Sequence, residues 1–363
     1  MKNSSHPANK TGILRLGIIG TGGMANAHAE NFSKISGVVL ASCLDVLPER
    51  AKEFATKHHI AHTTTKLAAL LDEVDAVTIV TPDAYHAATS LTALAAGKHV
   101  LCEKPLTVTL AEAKKLANAS KTALKKHGQI TMVNFSYRRS AAMQQAMLLA
   151  QSGALGDLRH VHAHYLQGWL TTLREPTDGI VPWRLQTKTG GGVLGDLGCH
   201  ILDLTTSVTG SIKRVRCAFG CFPKISSTGK RFTTFNKQKL DANDTAIIEL
   251  EFTSGGLGVI HTTRWATGRG NTIRVEAHGT GGAIMFDLDR SYEQLDTYDL
   301  THGKWTTETL APAPDIYQRF VTSIRTGTQD QPDFVRGAQI QALLDSCAKS
   351  VTSGKWVNVP IIT

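Results

Sequence analysis

The sequence predicts two domains: an α/β domain with a doubly wound parallel sheet, followed by an α+β domain with an open, mostly antiparallel sheet. The chain has 363 residues, of which 42% are hydrophobic and 19% charged, and this allows two substantial cores. Apolar runs alternate with helical stretches up to Phe135, which favours parallel strands joined by helices. After Ala150 the runs follow one another through short turns, which favours antiparallel pairing.

In the first domain, short apolar runs that stop at Gly20, Asp45 or Thr81-Pro82 are predicted as buried strands. The stretches between the strands are predicted as helices, and Gly97 follows one of them as a stop signal. The predicted strands are Leu14–Ile19, Val38–Leu44, Val74–Val80, His99–Cys102 and Ile130–Phe135, and the predicted helices are Thr21–Ser33, Glu49–His58, His86–Ala96 and Leu110–His127.

In the second domain, turns such as Ser254-Gly255-Gly256 separate consecutive strands. We expect residues 1–12 to form a loose tail, 13–135 the first domain and 136–363 the second, with the closing helix a candidate for packing back on the first domain. The predicted strands are Leu158–Leu166, Arg214–Phe222, Thr245–Phe252, Leu257–Trp265, Thr272–Ala277 and Ala283–Asp287, and the closing helices are Ile316–Thr326 and Val335–Ser353.

The composition argues against several classes of protein. The net charge is +9, but the basic residues are scattered and lack interleaved aromatic residues, so nucleic-acid binding is weakly supported. No stretch is long and apolar enough for a membrane span, and residues 1–12 lack the apolar core of a secretory signal. Dispersed cysteines without a CxxC pair indicate a reducing compartment, and we expect a cytoplasmic protein. The cysteines are Cys43, Cys102, Cys199, Cys217, Cys221 and Cys347.

A dinucleotide-binding turn is predicted directly after the first strand. Gly20-Thr-Gly22-Gly23-Met-Ala25 has the GxGxxA pattern, which allows a tight turn and brings a helix N-terminus to a pyrophosphate. Asp45 ends the next strand, where a carboxylate can accept both adenosine ribose hydroxyls and would repel a 2′-phosphate. The sequence therefore predicts a Rossmann-type domain that binds NAD in preference to NADP.

Two further segments end strands of the same sheet, so their side chains are expected to line the same crevice. Thr81-Pro82-Asp-Ala-Tyr-His86 follows the third strand, and Glu103-Lys104-Pro105 follows the fourth. Lysine followed by proline indicates an extended turn, for which a cis peptide is one expectation. Lys104 in this place can bond a substrate hydroxyl and stabilise its developing negative charge, although an exposed loop lysine is the alternative.

A glycine-rich entry leads into the third candidate segment, Gly190-Gly-Gly-Val-Leu-Gly-Asp196-Leu-Gly-Cys-His200-Ile-Leu-Asp203. If this run is helical, Asp196, His200 and Asp203 lie at i, i+4 and i+7 on one face. A carboxylate one turn from an imidazole can orient it as a general base. The alternative is a buried helix with hydrogen-bonded polar residues. The spacing alone leaves both interpretations open for Asp196 and His200, whereas Asp203 lies a turn further from the glycine-rich entry and is expected to have a structural role.

The chain resembles the Gfo/Idh/MocA family of sugar and inositol dehydrogenases nearly from end to end. The resemblance rests on five segments, which together are highly specific. They are the turn at Gly20, Thr81-Pro-Asp-Ala-Tyr-His86, Ala96-Gly-Lys-His-Val-Leu-Cys-Glu-Lys-Pro105, Gly190-Gly-Gly with Asp196-Leu-Gly-Cys-His200, and Ser350-Val-Thr-Ser-Gly-Lys-Trp-Val.

The resemblance implies NAD(P)-dependent oxidation of a secondary alcohol in a sugar, anhydrosugar or cyclitol by a homodimer or homotetramer. It implies that His200 takes the hydroxyl proton, Lys104 anchors the hydroxyl and Asp196 orients the set. Departures occur at Asn134, Ser136 and Ala141, where many members have Gly, Asn and Pro, and these exchanges bear on specificity. The positions expected to face the cofactor are Gly20, Gly22, Gly23, Met24, Asp45, Thr81, Pro82, His86, Glu103 and Lys104.

Substrate contacts are expected from two aromatic segments. Tyr165 and Gln167 leave a strand, and Trp183 and Arg184 precede the glycines. Aromatic faces stack on sugar C–H surfaces while Gln and Arg bond hydroxyls, although core packing is the alternative for all four. Lys188 is a weaker candidate for a substrate contact.

Other functions stay open at this stage. One is a redox-neutral glycosidase that uses NAD transiently, another is a dehydratase or epimerase with the same keto intermediate, and the third is a non-catalytic sensor. A sensor is disfavoured because Lys104 and His200 are both kept. The histidines of His160-x-His162-x-His164 share a strand face without an acidic or cysteine cluster, and we expect no metal.

Overall fold

The computed structural model describes residues 12–172, 183–226 and 228–363. The first part of the chain forms β1 (Leu14–Ile19), α1 (Gly23–Phe32), β2 (Val38–Leu44), α2 (Pro48–His58), β3 (His62–Thr64), α3 (Leu67–Glu73), β4 (Ala76–Ile79), α4 (His86–Ala95), β5 (His99–Cys102), α5 (Leu110–His127), β6 (Thr131–Val133) and α6 (Ala141–Gln151). The remainder forms β7 (Leu158–Leu166), α7 (Trp169–Thr172), α8 (Cys199–Thr209), β8 (Ile212–Gly220), β9 (Lys224–Ile225), β10 (Arg231–Phe232), β11 (Thr234–Phe235), β12 (Gln238–Lys239), β13 (Thr245–Phe252), β14 (Leu257–Thr263), β15 (Thr272–Gly279), β16 (Gly282–Asp287), β17 (Gln294–Asp299), β18 (Lys304–Thr309), α9 (Ile316–Thr326), α10 (Phe334–Ser353) and β19 (Val357–Asn358).

The described chain divides into two compact units. The first comprises the chain up to Phe135 together with Pro314–Gln341 and Ile362–Thr363, and the second comprises Ser136–Ala313 and Ala342–Ile361. The sequence analysis divides the chain at Phe135 and names only the closing helix as a candidate for packing on the first domain, whereas the first unit includes Pro314–Gln341, which contains α9 and the start of α10. The physical reason is that Phe320 of α9 is buried in the same apolar cluster as Leu16 of β1.

The first unit contains a parallel sheet with the strand order β3-β2-β1-β4-β5-β6. The order reverses next to β1, because β2 lies on one side of it and β4 on the other. In open sheets of this kind, ligands bind outside the carboxyl ends of the strands at such a reversal. The predicted doubly wound parallel sheet is therefore confirmed.

The second unit contains a mixed sheet with the strand order β18-β17-β16-β15-β7-β14-β13-β8-β19. Neighbouring strands pair antiparallel except β7 and β14, which are parallel. α8 contacts β7 and β15, and α6 contacts β16 and β17. Exposed apolar side chains occur at Ile247, Leu257 and Trp305. The predicted open, mostly antiparallel sheet is confirmed.

Most predicted elements form close to the expected bounds, and β1, β2, β5 and α5 begin and end where the sequence predicts. The sequence analysis misses α3, α6, β17 and the edge strand β18. It also misses β3, which is short and largely exposed and therefore has no apolar run to reveal it. Over the described ranges, no helix has the length and apolar character that a bilayer span requires.

Candidate functional site

The GxGxxA segment forms a tight turn between β1 and α1. Gly20 has φ +89°, and a Cβ on it would lie 2.8 Å from the Val80 carbonyl oxygen, so both conformation and space require glycine. Gly22 and Gly23 face open space, because a Cβ on either would meet no neighbouring atom of the described chain within 4 Å. No side chain of the described residues caps α1. The backbone amides at this helix N-terminus are therefore suited to an anion such as a pyrophosphate.

Asp45 lies beside this turn and is held in place by hydrogen bonds. Its Oδ2 accepts bonds from the Thr21 amide (3.0 Å) and the Thr21 hydroxyl (2.8 Å), and its Oδ1 accepts one from the Leu47 amide (3.0 Å). Burial alone would raise the pKa of Asp45, but these bonds outweigh it and the pKa is lowered. A carboxylate has about four acceptor positions, so an ionised Asp45 still has capacity for ribose hydroxyls.

Two more observations fit a bound dinucleotide. The Thr81 hydroxyl oxygen is buried and has no hydrogen-bond partner among the described residues. Three apolar side chains, Met24, Val46 and Leu47, are more than half exposed around the Gly20 turn and Asp45. A buried hydroxyl without a bond is costly, and a dinucleotide with polar and flat apolar parts would bond this hydroxyl and cover the exposed apolar side chains.

Glu103 is part of a buried polar network. Its Oε1 accepts bonds from His28 Nε2 (2.9 Å) and Asn134 Nδ2 (2.5 Å), and its Oε2 accepts one from the Lys104 amide (3.0 Å). Burial opposes ionisation, but the His28 bond and charge outweigh it and lower the pKa of Glu103 to about 2. Glu103 therefore fixes the loop that bears the partly exposed Lys104.

His86 connects the loop after β4 to the loop after β5. Its Nδ1 lies 2.9 Å from the Pro105 carbonyl oxygen and its Nε2 lies 2.9 Å from the Thr81 carbonyl oxygen. Because carbonyl oxygens only accept, both contacts are hydrogen bonds only when both ring nitrogens carry a proton. The Lys104–Pro105 peptide is cis, as the sequence suggested. His86 thus stabilises the turn that follows Lys104.

In the second unit, Asn243 holds the glycine-rich entry to α8. Its side-chain oxygen accepts a bond from the Leu194 amide (2.9 Å), and its carbonyl accepts one from the Val193 amide (2.9 Å). Gly192 has φ +125°, and a Cβ there would lie 2.8 Å from the Asn243 amide nitrogen. Leu194–Gly198 then forms a π-helical turn before α8 begins. The segment is helical, but it is not the single α-helix that the i, i+4, i+7 argument assumed.

The Asp196 carboxylate faces two arginines. Its Oδ2 accepts a bond from Arg264 Nη2 (2.7 Å) and lies 3.5 Å from Arg184 Nε. The Arg264 side chain is fully buried, whereas that of Asp196 is 20% exposed. Adjacent positive charge favours the ionised form of a carboxylate. Arg184, a sequence-predicted substrate contact, is therefore also a partner of Asp196.

His200 is buried against a hydrogen-bonded set of aromatic and amide side chains. Its ring centroid lies 4.8 Å from that of Tyr137 and 6.3 Å from that of Tyr165. Asn271 Nδ2 donates to the Tyr137 hydroxyl (2.8 Å), the two hydroxyls are 2.6 Å apart, and Tyr165 donates to Asn271 Oδ1 (2.7 Å). Gln167 Nε2 also donates to Asn271 Oδ1 (2.9 Å). The hydrogen bonds among Tyr137, Tyr165 and Asn271 thus form a closed cycle beside the imidazole, which we call the Tyr137–Tyr165–Asn271 ring.

Burial, followed by the neighbouring Tyr137 hydroxyl, raises the pKa of Tyr165. Tyr165 therefore stays a neutral hydroxyl at physiological pH, so it acts as a hydrogen-bonding group and not as a phenolate.

The remaining predicted residues have separate locations. Asp203 forms a buried bidentate pair with Arg138 (2.8 and 2.7 Å) and so has a structural partner. Lys188 is exposed in a short 3₁₀ helix, Thr187–Thr189. The side chain of Trp183 lies outside the described part of the chain. Within the described ranges, no group of three His, Cys, Asp or Glu side chains is arranged to hold a metal ion.

Sequence reasoning missed three residues of the second unit: Arg264, Tyr137 and Asn271. A signal existed for Arg264, because a cation next to Trp265 at the end of an apolar strand needs a buried anion. Tyr137 stood in a segment that we connected with specificity, but its contact with His200 depends on tertiary packing. Asn271 had no sequence signal.

Comparison with known proteins identifies relatives over both units. A family model described as "Oxidoreductase family, NAD-binding Rossmann fold" matches residues 14–135, and one described as "GFO/IDH/MocA C-terminal domain" matches residues 143–285. Levoglucosan dehydrogenase of Pseudarthrobacter phenanthrenivorans is 28% identical over 398 residues, covering 96% of this chain and 99% of that protein.

Solved structures share the fold of this chain. The crystal structure of an oxidoreductase domain protein from Kribbella flavida has a TM-score of 0.84 and 32% sequence identity, covering 96% of this chain and 100% of that one. A structure of levoglucosan dehydrogenase in complex with NADH and levoglucosan has a TM-score of 0.82 and 27% identity, covering 96% and 100%. The NAD-binding Rossmann domain makes NAD the cofactor type of this fold.

The glycines of the dinucleotide turn should separate folding from binding. We expect Gly22→Ala to leave thermal stability unchanged, because the space beside Gly22 is open. The same variant should raise the Kd for NAD about tenfold or more, which is a loss of at least about 1.4 kcal/mol of binding free energy. Gly20→Ala should lower stability as well, since a left-handed alanine costs about 1–2 kcal/mol. Calorimetric titration and thermal unfolding of both variants check this, and unchanged NAD affinity in Gly22→Ala would contradict the placement of the pyrophosphate.

His86 should make the stability of the first unit depend on pH. Burial lowers the pKa of His86, but the Cys102 sulfur and the two carbonyls outweigh it and raise the pKa from 6.5 to about 9. The protonated form therefore contributes stability fully below about pH 6.5, and this is lost as pH rises through about 9. Its size is on the order of 3 kcal/mol at about 1.4 kcal/mol per pKa unit.

In urea unfolding, the free energy of unfolding of wild type should decline between about pH 6.5 and pH 9, and this decline should be absent in His86→Gln. The exposed His127 of α5 offers the control, because His127→Gln should keep the decline. An equal slope in wild type and His86→Gln would exclude a charged His86.

Proposed function

Because the chain belongs to the GFO/IDH/MocA family of oxidoreductases, we propose that it transfers a hydride between NAD and a secondary alcohol of a pyranose, an anhydrosugar or a cyclitol. The relative solved with NADH and levoglucosan supports a sugar-type substrate. The open glycine turn, the anchored Asp45 and the unpartnered Thr81 hydroxyl support NAD as the cofactor. Bound NAD supplies the hydride acceptor.

We assign proton transfer to His200. Its ring is buried and makes an edge-to-face contact with the ring of Tyr137. When the alcohol is oxidised, the carbon loses a hydride and the hydroxyl loses a proton, and His200 accepts that proton as the general base. The contact of His200 with the Tyr137–Tyr165–Asn271 ring is the observation on which this assignment rests.

Lys104 and Asp196 have electrostatic roles in the proposal. Lys104 bonds the reacting hydroxyl, and its positive charge stabilises the oxygen as the proton leaves. Glu103 supports this role, because it anchors the Lys104 amide. Asp196 orients the set as a fixed carboxylate, and its contacts with Arg264 and Arg184 support a role without proton exchange.

Substrate recognition is assigned to the polar ring and its neighbours. The Tyr165 and Gln167 side chains already belong to one hydrogen-bonded set, in which Trp169 Nε1 donates to Gln167 Oε1 (3.0 Å). Such a set distinguishes hydroxyl positions, because a mismatched ligand leaves polar groups unpaired. Arg184 and Trp183 remain proposed contacts. Self-association stays a prediction, which light scattering would check.

We expect the full chain to form NADH from NAD with at least one member of a panel of monosaccharides, anhydrosugars and inositols. NAD should be preferred over NADP by about tenfold or more in kcat/KM, because Asp45 repels a 2′-phosphate by on the order of 1.4 kcal/mol. The measurement is the near-ultraviolet absorbance of NADH. If no polyol is oxidised and NAD copurifies in stoichiometric amount, the dehydrogenase proposal fails and a redox-neutral reaction replaces it.

His200→Asn should lower kcat by about 10²–10⁴ because it removes the general base. The Kd for NAD should change by less than about twofold, since the residues proposed to bind NAD lie in the first unit. Steady-state kinetics and NAD titration measure both quantities. His160→Ala is the matched control, because His160 is an exposed histidine of β7 in the same unit. Unchanged turnover in His200→Asn would remove this residue from the mechanism.

A further inference from the structure

An alternating series of charges runs through the second unit to Asp196. Lys224 Nζ lies 2.6 Å from Asp244 Oδ2, and both side chains are almost completely buried. The carbonyl of Asp244 accepts a bond from the Arg264 amide (2.9 Å), and the Arg264 guanidinium donates to Asp196 (2.7 Å). Arg184 completes the series at 3.5 Å from Asp196. Positive and negative side chains therefore alternate over five residues, in which the step from Asp244 to Arg264 is made by their main chains.

Arg264 is the central member of this series and is held on several sides. Its side chain has no solvent exposure. Nη2 donates to Asp196 and Nη1 donates to the Arg184 carbonyl oxygen (3.0 Å), while the guanidinium carbon lies 5.4 Å from the centre of the Trp169 ring. A planar guanidinium can make two such bonds at a fixed angle, and an ammonium group cannot reproduce that geometry.

We propose that Arg264 is a positioning residue, which fixes the Asp196 carboxylate and keeps it ionised so that Asp196 orients the reacting groups without carrying the proton. The inference rests on the proposed function and deepens it, because it separates the residue that transfers the proton from the residue that supplies a fixed charge. His200 accepts the proton. Asp196 provides a fixed negative charge near the reaction, and Arg264 holds Asp196 in position.

The ion pair of Arg264 with Asp196 differs from a second buried arginine–aspartate pair, which only stabilises the fold. Arg138 and Asp203 also form an ion pair (2.7 Å), with exposures of 6% and 1%. Both partners are enclosed there, as in a pair that only stabilises the fold. In contrast, Arg264 is enclosed while its partner Asp196 is 20% exposed. A carboxylate held from the buried side and accessible on the other can act on a bound molecule.

The kinetic experiment uses the full chain and the polyol found in the panel. Relative to wild type, Arg264→Lys should lower kcat about tenfold and Arg264→Met about a hundredfold, with the KM for NAD changed less than about twofold. In an Asp196→Asn background, Arg264→Met should lower kcat by no more than about threefold, because its effect acts through Asp196. The proposal would be overturned if the kcat losses of Arg264→Met and Asp196→Asn multiply in the double variant. It would also be overturned if the kcat of Arg264→Met stays within about twofold of wild type.

A titration experiment tests the same inference without activity. The ¹³Cγ signal of Asp196, assigned by its disappearance in Asp196→Asn, should report protonation at a higher pH in Arg264→Met than in wild type, because an adjacent cation has been removed. Identical titration in both proteins would overturn the proposal. If wild type oxidises no polyol, the proposed function fails, and this titration alone decides the role of Arg264.

The matched control is Arg138→Lys, which weakens the other buried arginine–aspartate pair of this unit. It should lower thermal stability and leave both kcat and the Asp196 titration unchanged. The same effects in Arg138→Lys and Arg264→Lys would mean that loss of any buried pair disturbs the site, and the proposal would fail. If Arg264→Met does not fold, Arg264→Lys is used in both experiments, with the same direction expected and a smaller shift.

Discussion

The pairing of buried charge is the constraint on which the candidate site depends. Burying an ion costs several kcal/mol even after the protein relaxes around it. This cost is a large fraction of the free energy of unfolding of a typical domain. Asp203 is therefore enclosed with Arg138 and Lys224 with Asp244, and the buried Glu103 carboxylate accepts a hydrogen bond from His28. Each pair joins segments that are distant in the sequence. The loops and helix ends that bear the proposed catalytic residues are thereby fixed by electrostatics as well as by apolar packing.

In the first unit, this constraint separates residues that are adjacent in the chain. Glu103 and Lys104 belong to one motif, but Glu103 is buried and accepts bonds from His28 and Asn134, whereas Lys104 is partly exposed. At Asn134, where the resemblance led us to expect Gly, the side-chain amide donates to Glu103. The contacts of the described residues thus give Glu103 an anchoring role in the loop, and cofactor contact by Glu103 stays a prediction.

In the second unit, local backbone geometry and tertiary contacts act together at the start of α8. At the glycine-rich entry, the space beside Gly192 is filled by Asn243, and the φ of +125° at Gly192 requires glycine. The π-helical turn over Leu194–Gly198 then alters the angular relation between Asp196 and the α-helix that follows. Asp196 and Asp203 consequently meet different arginines instead of forming one stripe.

The sequence by itself determined the parallel sheet, the GxGxxA turn, Asp45 and the family, because strand periodicity, glycine spacing and strand-end residues are local signals. It did not reveal that α9 joins the first unit, because burial of Phe320 against Leu16 depends on packing across some 300 residues of chain. For the same reason it did not reveal Arg264 as the partner of Asp196, or Tyr137 and Asn271 near His200. Only the tertiary structure decided these partners, since a buried ion or hydroxyl is satisfied by whichever group the fold brings within hydrogen-bond distance.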